Sequence, residues 1–218
     1  MSTEHLERHI AAFGGRRFLF VMATEFEYGP HLKRRIRPLI TGVGPVEAAV
    51  ATAAALTELA GGGALPDAVV SLGSAGSRTL DHAGLYQISA VSYRDMDATA
   101  LGFDKGKTPF LDIPIVVDVP ARLPGIPTAT IATGASIVSG AGYDGILADM
   151  VDMESFAVLR AATRFGVPLI GLRGISDGRT DLTGLNDWTR YLGLIDEKLA
   201  GAVGLIEASA TDGRLRLG

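Results

Sequence analysis

Cysteine is absent from this chain of 218 residues. Its absence excludes disulfide bonds, thiolate metal sites and cysteine nucleophiles, and it suits a reducing compartment. Histidine is scarce as well, and the four that occur lack the spacing typical of metal ligands. They are His5, His9, His31 and His82. The sequence therefore implies no metal site.

Positive charge of the kind that binds nucleic acids is also lacking. Lys and Arg number 20 against 24 Asp and Glu, a net charge of -4, which leaves no basic field for a phosphate backbone. No uncharged apolar run reaches the roughly 18 residues that a membrane span needs, and the charged start of the chain does not resemble a signal peptide. We predict a cytoplasmic protein whose partner is a small molecule or another protein, without nucleic acid or membrane.

Hydrophobic residues are plentiful at 47%, and we predict one domain over residues 1–218 around one sizeable core. Short apolar runs typical of buried strands alternate with helical segments. The strands are predicted at 17–23, 67–73, 85–93, 113–119, 128–134 and 167–175. The helices are predicted at 46–60, 155–165 and 187–209, with Pro45 in the first turn of the first and Asn186 capping the last. Such alternation is typical of an α/β fold with helices on both faces of a largely parallel sheet.

Polar side chains gather where the predicted strands end, which is where open α/β sheets bind their ligands. The candidates are Glu25 and Glu27, the segments 73–77 and 133–138, the acids Asp152 and Glu154, and the strand end at 173–177. Taken singly, each has an ordinary explanation, because loops expose acids and glycines make turns. An acid at a helix start also offsets the helix dipole. That effect explains Asp152 or Glu154, but not Asp177, which stands where the next apolar run ends.

The sequences of these segments, taken together, resemble a known family. The stretch "VDMESFAVLRAATRFGVPLIGLRGISD" resembles the part of the purine nucleosidase and nucleoside phosphorylase superfamily in which a Met-Glu pair opens a helix and the next strand ends in Arg-x-x-Ser-Asp. The blocks "TGVGPVEAAVAT", "SLGSAGS" and "YRDMDATALGFDKGKTPF" occur in the family's order. Within the superfamily, the chain looks like a 5′-methylthioadenosine/S-adenosylhomocysteine nucleosidase from about Phe18 to Ala202. This implies a three-layer α/β/α sandwich around a mixed, largely parallel sheet.

The resemblance also implies a reaction, hydrolysis of an N-ribosyl bond, and a role for individual residues. Asp177 matches the acid that protonates the purine ring nitrogen, and Ser176 holds that acid. Glu27 matches the group that activates water, while Arg173 and Ser74 help to position the water. We expect Asp177 to be partly desolvated, which raises its pKa, and Arg173 to oppose that rise.

Sugar and base contacts follow from the same resemblance. Glu154 matches the carboxylate that holds the ribose hydroxyls, and Met153 packs against the sugar. Ile137 and Val138 match the purine contacts, where the family often has an aromatic ring in place of Ile137. A homodimer is implied, with residues 106–110 near the partner's site. No organic cofactor is implied.

Two other functions remain open. The basic segment Gly29–Ile36 is either a solvated loop or a phosphate site, and a phosphate site would make the chain a purine nucleoside phosphorylase. A non-catalytic nucleoside-binding protein of the same fold is the other alternative. Residues 1–16 precede the family resemblance, and we predict that this N-terminal extension forms a short helix.

Overall fold

A computed structural model of the chain describes residues 3–218. The helices are α1 (Thr3–Glu7), α2 (Pro30–Lys33), α3 (Pro45–Gly61), α4 (Ser155–Arg164), α5 (Leu185–Thr189) and α6 (Leu192–Thr211). The strands are β1 (Ile10–Phe13), β2 (Arg16–Met22), β3 (Leu39–Ile40), β4 (Ala68–Gly76), β5 (Leu85–Tyr93), β6 (Val116–Asp118), β7 (Thr128–Thr133), β8 (Met150–Asp152) and β9 (Leu169–Asp177). Short 3-10 turns occur at Glu25–Glu27, Thr99–Leu101 and Gly140–Tyr143.

The strands form one mixed sheet, as predicted. Strand β2 pairs parallel with β4, and β4 pairs parallel with β9. Strand β9 is antiparallel to β5, which runs parallel to β7, and β7 runs parallel to β8. Strand β8 pairs with β4 through one antiparallel pair, Val151 with Gly76, so that five strands, β4, β9, β5, β7 and β8, close into a ring. The register of β4 against β9 shifts between Ala75 and Gly76, an irregularity of the kind found beside active sites.

Side chains of β2 show how the sheet separates two helical layers. Leu19 and Val21 are buried in a cluster with residues of α3 and α4. Phe18 and Phe20, which alternate with them, are buried in a second cluster with residues of α6. Because successive strand residues point to opposite faces, α3 and α4 cover one face of the sheet and α6 covers the other. The predicted α/β fold, with helices on both faces, is confirmed.

The long helix predicted at 187–209 is wrong in its first part. The chain instead forms α5, then breaks before Leu192 and begins α6. Asn186 lies inside α5 and does not cap it, since the residue before the helix is Gly184. The carboxylate of Asp187 accepts hydrogen bonds from the backbone and hydroxyl of Thr183, both at 2.8 Å. These bonds connect α5 to the loop before it, whereas α6 packs against the sheet.

The N-terminal stretch is also more than the short helix predicted for it. Met1 and Ser2 lie outside the described residues, and α1 is followed by strand β1, which pairs antiparallel with β2 from Ile10 opposite Leu19. Gly14 and Gly15 connect the two strands with φ of 56° and 78°. Two successive positive φ angles give the turn that matches the twist of a hairpin, and glycine adopts them without strain.

Candidate active site

A cavity of about 610 Å³ opens at the ends of the central strands, a volume typical of small-molecule sites. Eight of the nine predicted site residues line it, namely Glu27, Ser74, Ile137, Val138, Met153, Glu154, Ser176 and Asp177. The ninth, Arg173, lines a smaller space of about 10 Å³ together with Glu27, Ser74 and Glu154. That is about the volume that one water molecule needs. Acids that are up to 150 residues apart in sequence (27 and 177) thus share one site.

Glu27 is the buried member of the first acid pair. It ends the 3-10 turn after β2, where the side chain of Thr24 accepts a hydrogen bond from the backbone N–H of Phe26. Glu25 is exposed, whereas Glu27 is 6% exposed. Its Oε1 accepts from the backbone N–H of Ser74 at 2.6 Å and from the Ser74 hydroxyl at 2.7 Å. Burial raises the pKa of Glu27, and the two Ser74 hydrogen bonds oppose that rise.

Asp152 and Glu154 stand either side of Met153 and have different partners. Asp152 caps α4, because its Oδ2 accepts from the backbone N–H of Ser155 at 3.0 Å and from the Ser155 hydroxyl at 2.6 Å. Glu154 makes no capping bond of this kind. Its Oε1 accepts from the backbone N–H of Gly44 at 2.8 Å. Burial, with a further contribution from the Asp152 charge, raises the pKa of Glu154 to about 7. Helix capping therefore explains the position of Asp152. It does not explain Glu154, whose side chain lines the cavity.

Arg173 is held by the protein on several sides. The residue is 2% exposed and forms an ion pair with Asp152 at 3.0 Å. Its guanidinium also donates to the backbone oxygen and hydroxyl of Ser71 and to the hydroxyl of Ser155. From this fixed position its charge lowers the pKa of both Glu27 and Glu154. Arg173 thus contributes a fixed positive charge beside the small cavity.

Asp177 ends β9 beside Ser176, whose hydroxyl donates to Asp177 Oδ1 at 2.5 Å. Partial burial raises the pKa of Asp177, as predicted. The expectation that Arg173 opposes this rise is wrong, because the opposing influences are the Ser176 hydrogen bond and the charge of His82. The guanidinium of Arg173 lies against Asp152 instead.

The predicted purine contacts lie at another part of the cavity wall. Ile137 is 74% exposed, while Val138 is buried. Arg94 lines the cavity beside them and donates to the Ser136 hydroxyl at 3.1 Å and to Asp95 at 2.9 Å. Arg94 is a cavity residue beyond those predicted from the sequence, although it belongs to one of the blocks that carry the family resemblance.

Tyr143 and Trp188 are two further residues that the sequence did not identify. The Tyr143 hydroxyl is buried and, among residues 3–218, has no hydrogen-bond partner. A Cβ atom at Gly76 would lie 2.4 Å from that hydroxyl and 3.0 Å from Asp177 Oδ2, so only glycine fits between them. Trp188 lines the cavity, and its indole N–H donates to the hydroxyl of Ser74 at 2.9 Å.

The basic segment Gly29–Ile36 does not line the cavity. Two backbone N–H groups of α2 donate to the carboxylate of Asp196, at 2.8 and 3.0 Å. Arg35 pairs with Glu207 at 2.9 Å, and the Lys33 ammonium lies 5.3 Å from the centroid of a tyrosine ring. The start of α2 thus binds a carboxylate of the protein itself, and none of the residues 29–36 lines the cavity in which a phosphate nucleophile would act.

The described residues meet neither the requirements of a metal site nor those of a membrane-spanning helix. Within residues 3–218, His, Asp and Glu side chains nowhere form a group of three or more that could hold a metal ion. Over the same residues, none of the helices combines the length and apolar character that a membrane crossing requires.

Known proteins resemble this chain in sequence. Residues 14–191 match the Phosphorylase superfamily. The 5′-methylthioadenosine/S-adenosylhomocysteine nucleosidase of Halalkalibacterium halodurans is 31% identical over 172 residues, covering 70% of this chain and 72% of that protein.

Solved structures share the fold. The nucleosidase of the same description from Campylobacter jejuni has a TM-score of 0.74 at 18% identity, over 89% of this chain and 100% of that chain. The one from Colwellia psychrerythraea, solved in complex with adenine, has a TM-score of 0.68 at 21% identity, over 88% of this chain and 94% of that chain.

Proposed function

Because the chain belongs to the phosphorylase superfamily, we propose that it is a nucleosidase that hydrolyses the N-ribosyl bond of 5′-methylthioadenosine, S-adenosylhomocysteine or both, and releases adenine. One observation carries this proposal. The carboxylates Glu27, Glu154 and Asp177 line a single cavity, and burial raises the pKa of each of them. The names of the relatives support the substrate class.

The leaving group needs an acid, and Asp177 is that acid in our proposal. As the N-ribosyl bond breaks, positive charge builds on the sugar and negative charge on adenine, which leaves poorly unless a ring nitrogen is protonated. Partial burial favours the protonated form of Asp177. Ser176 donates to Oδ1, so Oδ2 is the oxygen that delivers the proton.

The nucleophile needs a base, and Glu27 takes that role. Its Oε1 accepts both Ser74 hydrogen bonds, which leaves Oε2 to take a proton from water. A raised pKa makes the carboxylate a stronger base when it is ionised, and bases work best when their pKa is near the working pH. The small cavity between Glu27, Arg173, Ser74 and Glu154 has room for one water molecule. The fixed guanidinium of Arg173 would favour the developing hydroxide.

Glu154 and Met153 form the sugar site in this proposal. A carboxylate accepts hydrogen bonds from both hydroxyls of a ribose, and charge-assisted bonds of this kind are stronger than neutral ones. Glu154 uses Oε1 for the Gly44 backbone, which fixes its orientation in the cavity. Met153 adds an apolar contact with the ring. Ile137 and Val138 contact the purine by aliphatic packing.

Phosphorolysis is the competing reaction in the same superfamily. The basic segment that suggested it does not line the cavity, and phosphate as nucleophile would not need Glu27 to activate water. Product analysis separates the two reactions. With 5′-methylthioadenosine as substrate, we expect adenine and the free 5-methylthioribose, at the same rate with and without phosphate. Formation of the sugar 1-phosphate, dependent on added phosphate, would identify a phosphorylase. Failure to release adenine under either condition would favour a binding protein.

The assembly and location remain predictions. We propose a homodimer, and the segment at 106–110 supports it, since Phe110 is 91% exposed and Leu101 and Leu111 nearby are exposed as well. Exposed apolar side chains that form a patch are typical of protein interfaces, and a partner subunit would cover these three. We also propose that residues 1–218 act as one nucleosidase domain in the cytoplasm.

A further inference from the structure

Trp188 connects one wall of the cavity to the proposed base. It is the only tryptophan in the chain, it lies on α5, and it lines the cavity. Its Nε1–H donates to Ser74 Oγ at 2.9 Å, and Ser74 Oγ donates to Glu27 Oε1 at 2.7 Å. Three side chains from three parts of the sequence therefore form one hydrogen-bonded chain.

The direction of this chain is fixed by chemistry. An indole N–H can only donate, whereas a serine hydroxyl both donates and accepts. With Trp188 donating to it, the Ser74 hydroxyl directs its own proton to Glu27 Oε1. The backbone N–H of Ser74 donates to the same oxygen at 2.6 Å. Oε1 is thus committed twice, and Oε2 alone is left to accept a proton from water.

We propose that Trp188 is a positioning residue for the reaction, which acts through Ser74 to hold Glu27 with Oε2 directed to the small cavity. This inference rests on the proposed role of Glu27 as base. Helix α5 would then do more than line the cavity. The base is fully oriented only when α5 is positioned so that the Trp188 indole donates its hydrogen bond to Ser74.

Phe26 supports the same arrangement from the other side. Its ring lies 6.1 Å from the Trp188 ring in an edge-to-face geometry, although Phe26 is 65% exposed. Edge-to-face pairs are a favoured aromatic arrangement. Phe26 immediately precedes Glu27 on the 3-10 turn, so the indole contacts both the turn that carries the base and the serine that orients it.

Removal of the indole N–H should be visible in the titration of the base. Other charged groups that act on Glu27 are Arg173 on β9, Asp152 on β8 and Glu154 before α4, and none of them changes when only the N–H is removed. Hydrogen bonds in a chain polarise one another. Without the indole donor, the Ser74 hydroxyl donates more weakly to Glu27, and the pKa of Glu27 rises further.

A single-atom replacement tests the proposal. Because the chain has one tryptophan, substituting benzothienylalanine for tryptophan during expression exchanges the N–H of Trp188 for sulfur and changes nothing else. We expect kcat to fall roughly threefold to tenfold, the effect of one neutral hydrogen bond, with KM nearly unchanged. The acid limb of the kcat/KM profile should move to higher pH. Asn186→Ala, an exposed change on the same helix outside the cavity lining, should leave both unchanged.

The route through Ser74 has its own test. Trp188→Phe should move the acid limb in the wild-type background but not in Ser74→Ala, because the serine that transmits the effect is missing. An unmoved acid limb with the isostere, or an equal shift from Trp188→Phe in both backgrounds, would overturn the proposal.

Ligand-free protein gives a readout that does not depend on activity. The emission of Trp188 should titrate with Glu27, and the titration should disappear in Glu27→Gln and in Ser74→Ala but persist in Glu154→Gln. A titration that survives Glu27→Gln, or none in the wild type, contradicts the role of Trp188. Absence of adenine release by the wild type would instead reject the proposed function, whatever the emission shows.

Discussion

Arg173 donates from both Nε and Nη2 to the same oxygen of Asp152, at 3.2 and 3.0 Å, with both side chains buried. This ion pair joins the middle of β9 to the end of β8, just before α4 begins. It places a fixed positive charge beside the small cavity and leaves Glu154, two residues further on, free for a ligand. The two acids either side of Met153 therefore have separate tasks, one structural and one proposed to bind sugar.

Breaking that pair should be costly. Asp152→Asn removes the charge that compensates a buried guanidinium, and we expect the free energy of unfolding to fall by about 3–5 kcal/mol. Urea denaturation measures the loss. Asp144→Asn, which breaks an exposed pair with Arg78, is the matched control and should change stability by less than about 1 kcal/mol. Equal losses in the two variants would show that burial of the Arg173 pair does not matter.

Ionisation of the buried Glu154 side chain should lower the free energy of unfolding at high pH. Its folded pKa of about 7 lies above the ordinary value of 4.5, so between these values the folded state binds more protons than the unfolded state. The stability contributed by this group therefore falls as pH rises from about 5 to above 7. Glu154→Gln cannot ionise, and relative to wild type it should gain about 2 kcal/mol between pH 5 and pH 8.

Thermal or urea unfolding at the two pH values tests this. The control is Glu25→Gln, a change at an exposed acid, which should not show the gain. A stability difference between Glu154→Gln and wild type that is the same at both pH values would mean that the Glu154 carboxylate is not shifted by burial.

The same residue should discriminate between sugars. Glu154→Gln should weaken binding and turnover of a ribonucleoside by about 2 kcal/mol or more, because charge-assisted hydrogen bonds to the ribose hydroxyls are lost. A 2′,3′-dideoxy analogue cannot make those bonds and should lose less. Inhibition constants for the paired compounds on both proteins measure the difference, and equal losses would remove Glu154 from the sugar site.

Asp177→Asn should keep the fold and substrate binding but lose the transferable proton. We expect kcat to fall roughly 100-fold or more, the range for removing a general acid. A substrate whose purine leaves readily without protonation should be affected far less. Rates for both substrates on both proteins provide the test. If the two substrates suffer alike, the proton does not come from Asp177.

Local patterns predicted much of the fold. Strand β5 is found at Leu85–Tyr93, as predicted, and α3 begins at Pro45 and ends in the glycine run. The short strand β8 was missed because three residues before a Met-Glu pair carry no periodicity. The break before α6 was missed because Arg190 and Tyr191, which separate the two helices, include neither the Gly nor the Pro that usually marks a helix end.

Some residues of the site could be predicted from the sequence and others could not. The carboxylates could be predicted because they follow strands and belong to a recognisable motif. Trp188 could not, because its bond to Ser74 joins residues 114 positions apart and depends on how α5 turns after the loop. Tyr143 stands among glycines that predict a turn, and its hydroxyl meets Asp177 only across Gly76, which is 67 positions earlier in the sequence. Contacts of this kind are set by tertiary packing and leave no local pattern.

The central claim is that water activated by Glu27 cleaves the N-ribosyl bond, and adenine release in phosphate-free buffer tests it most directly. With 5′-methylthioadenosine as substrate, the wild type should release adenine without phosphate. Glu27→Gln, which keeps the shape but loses the base, should be slower by roughly 100-fold or more in kcat. Adenine release that requires phosphate, or that proceeds at the wild-type rate in Glu27→Gln, would contradict the account.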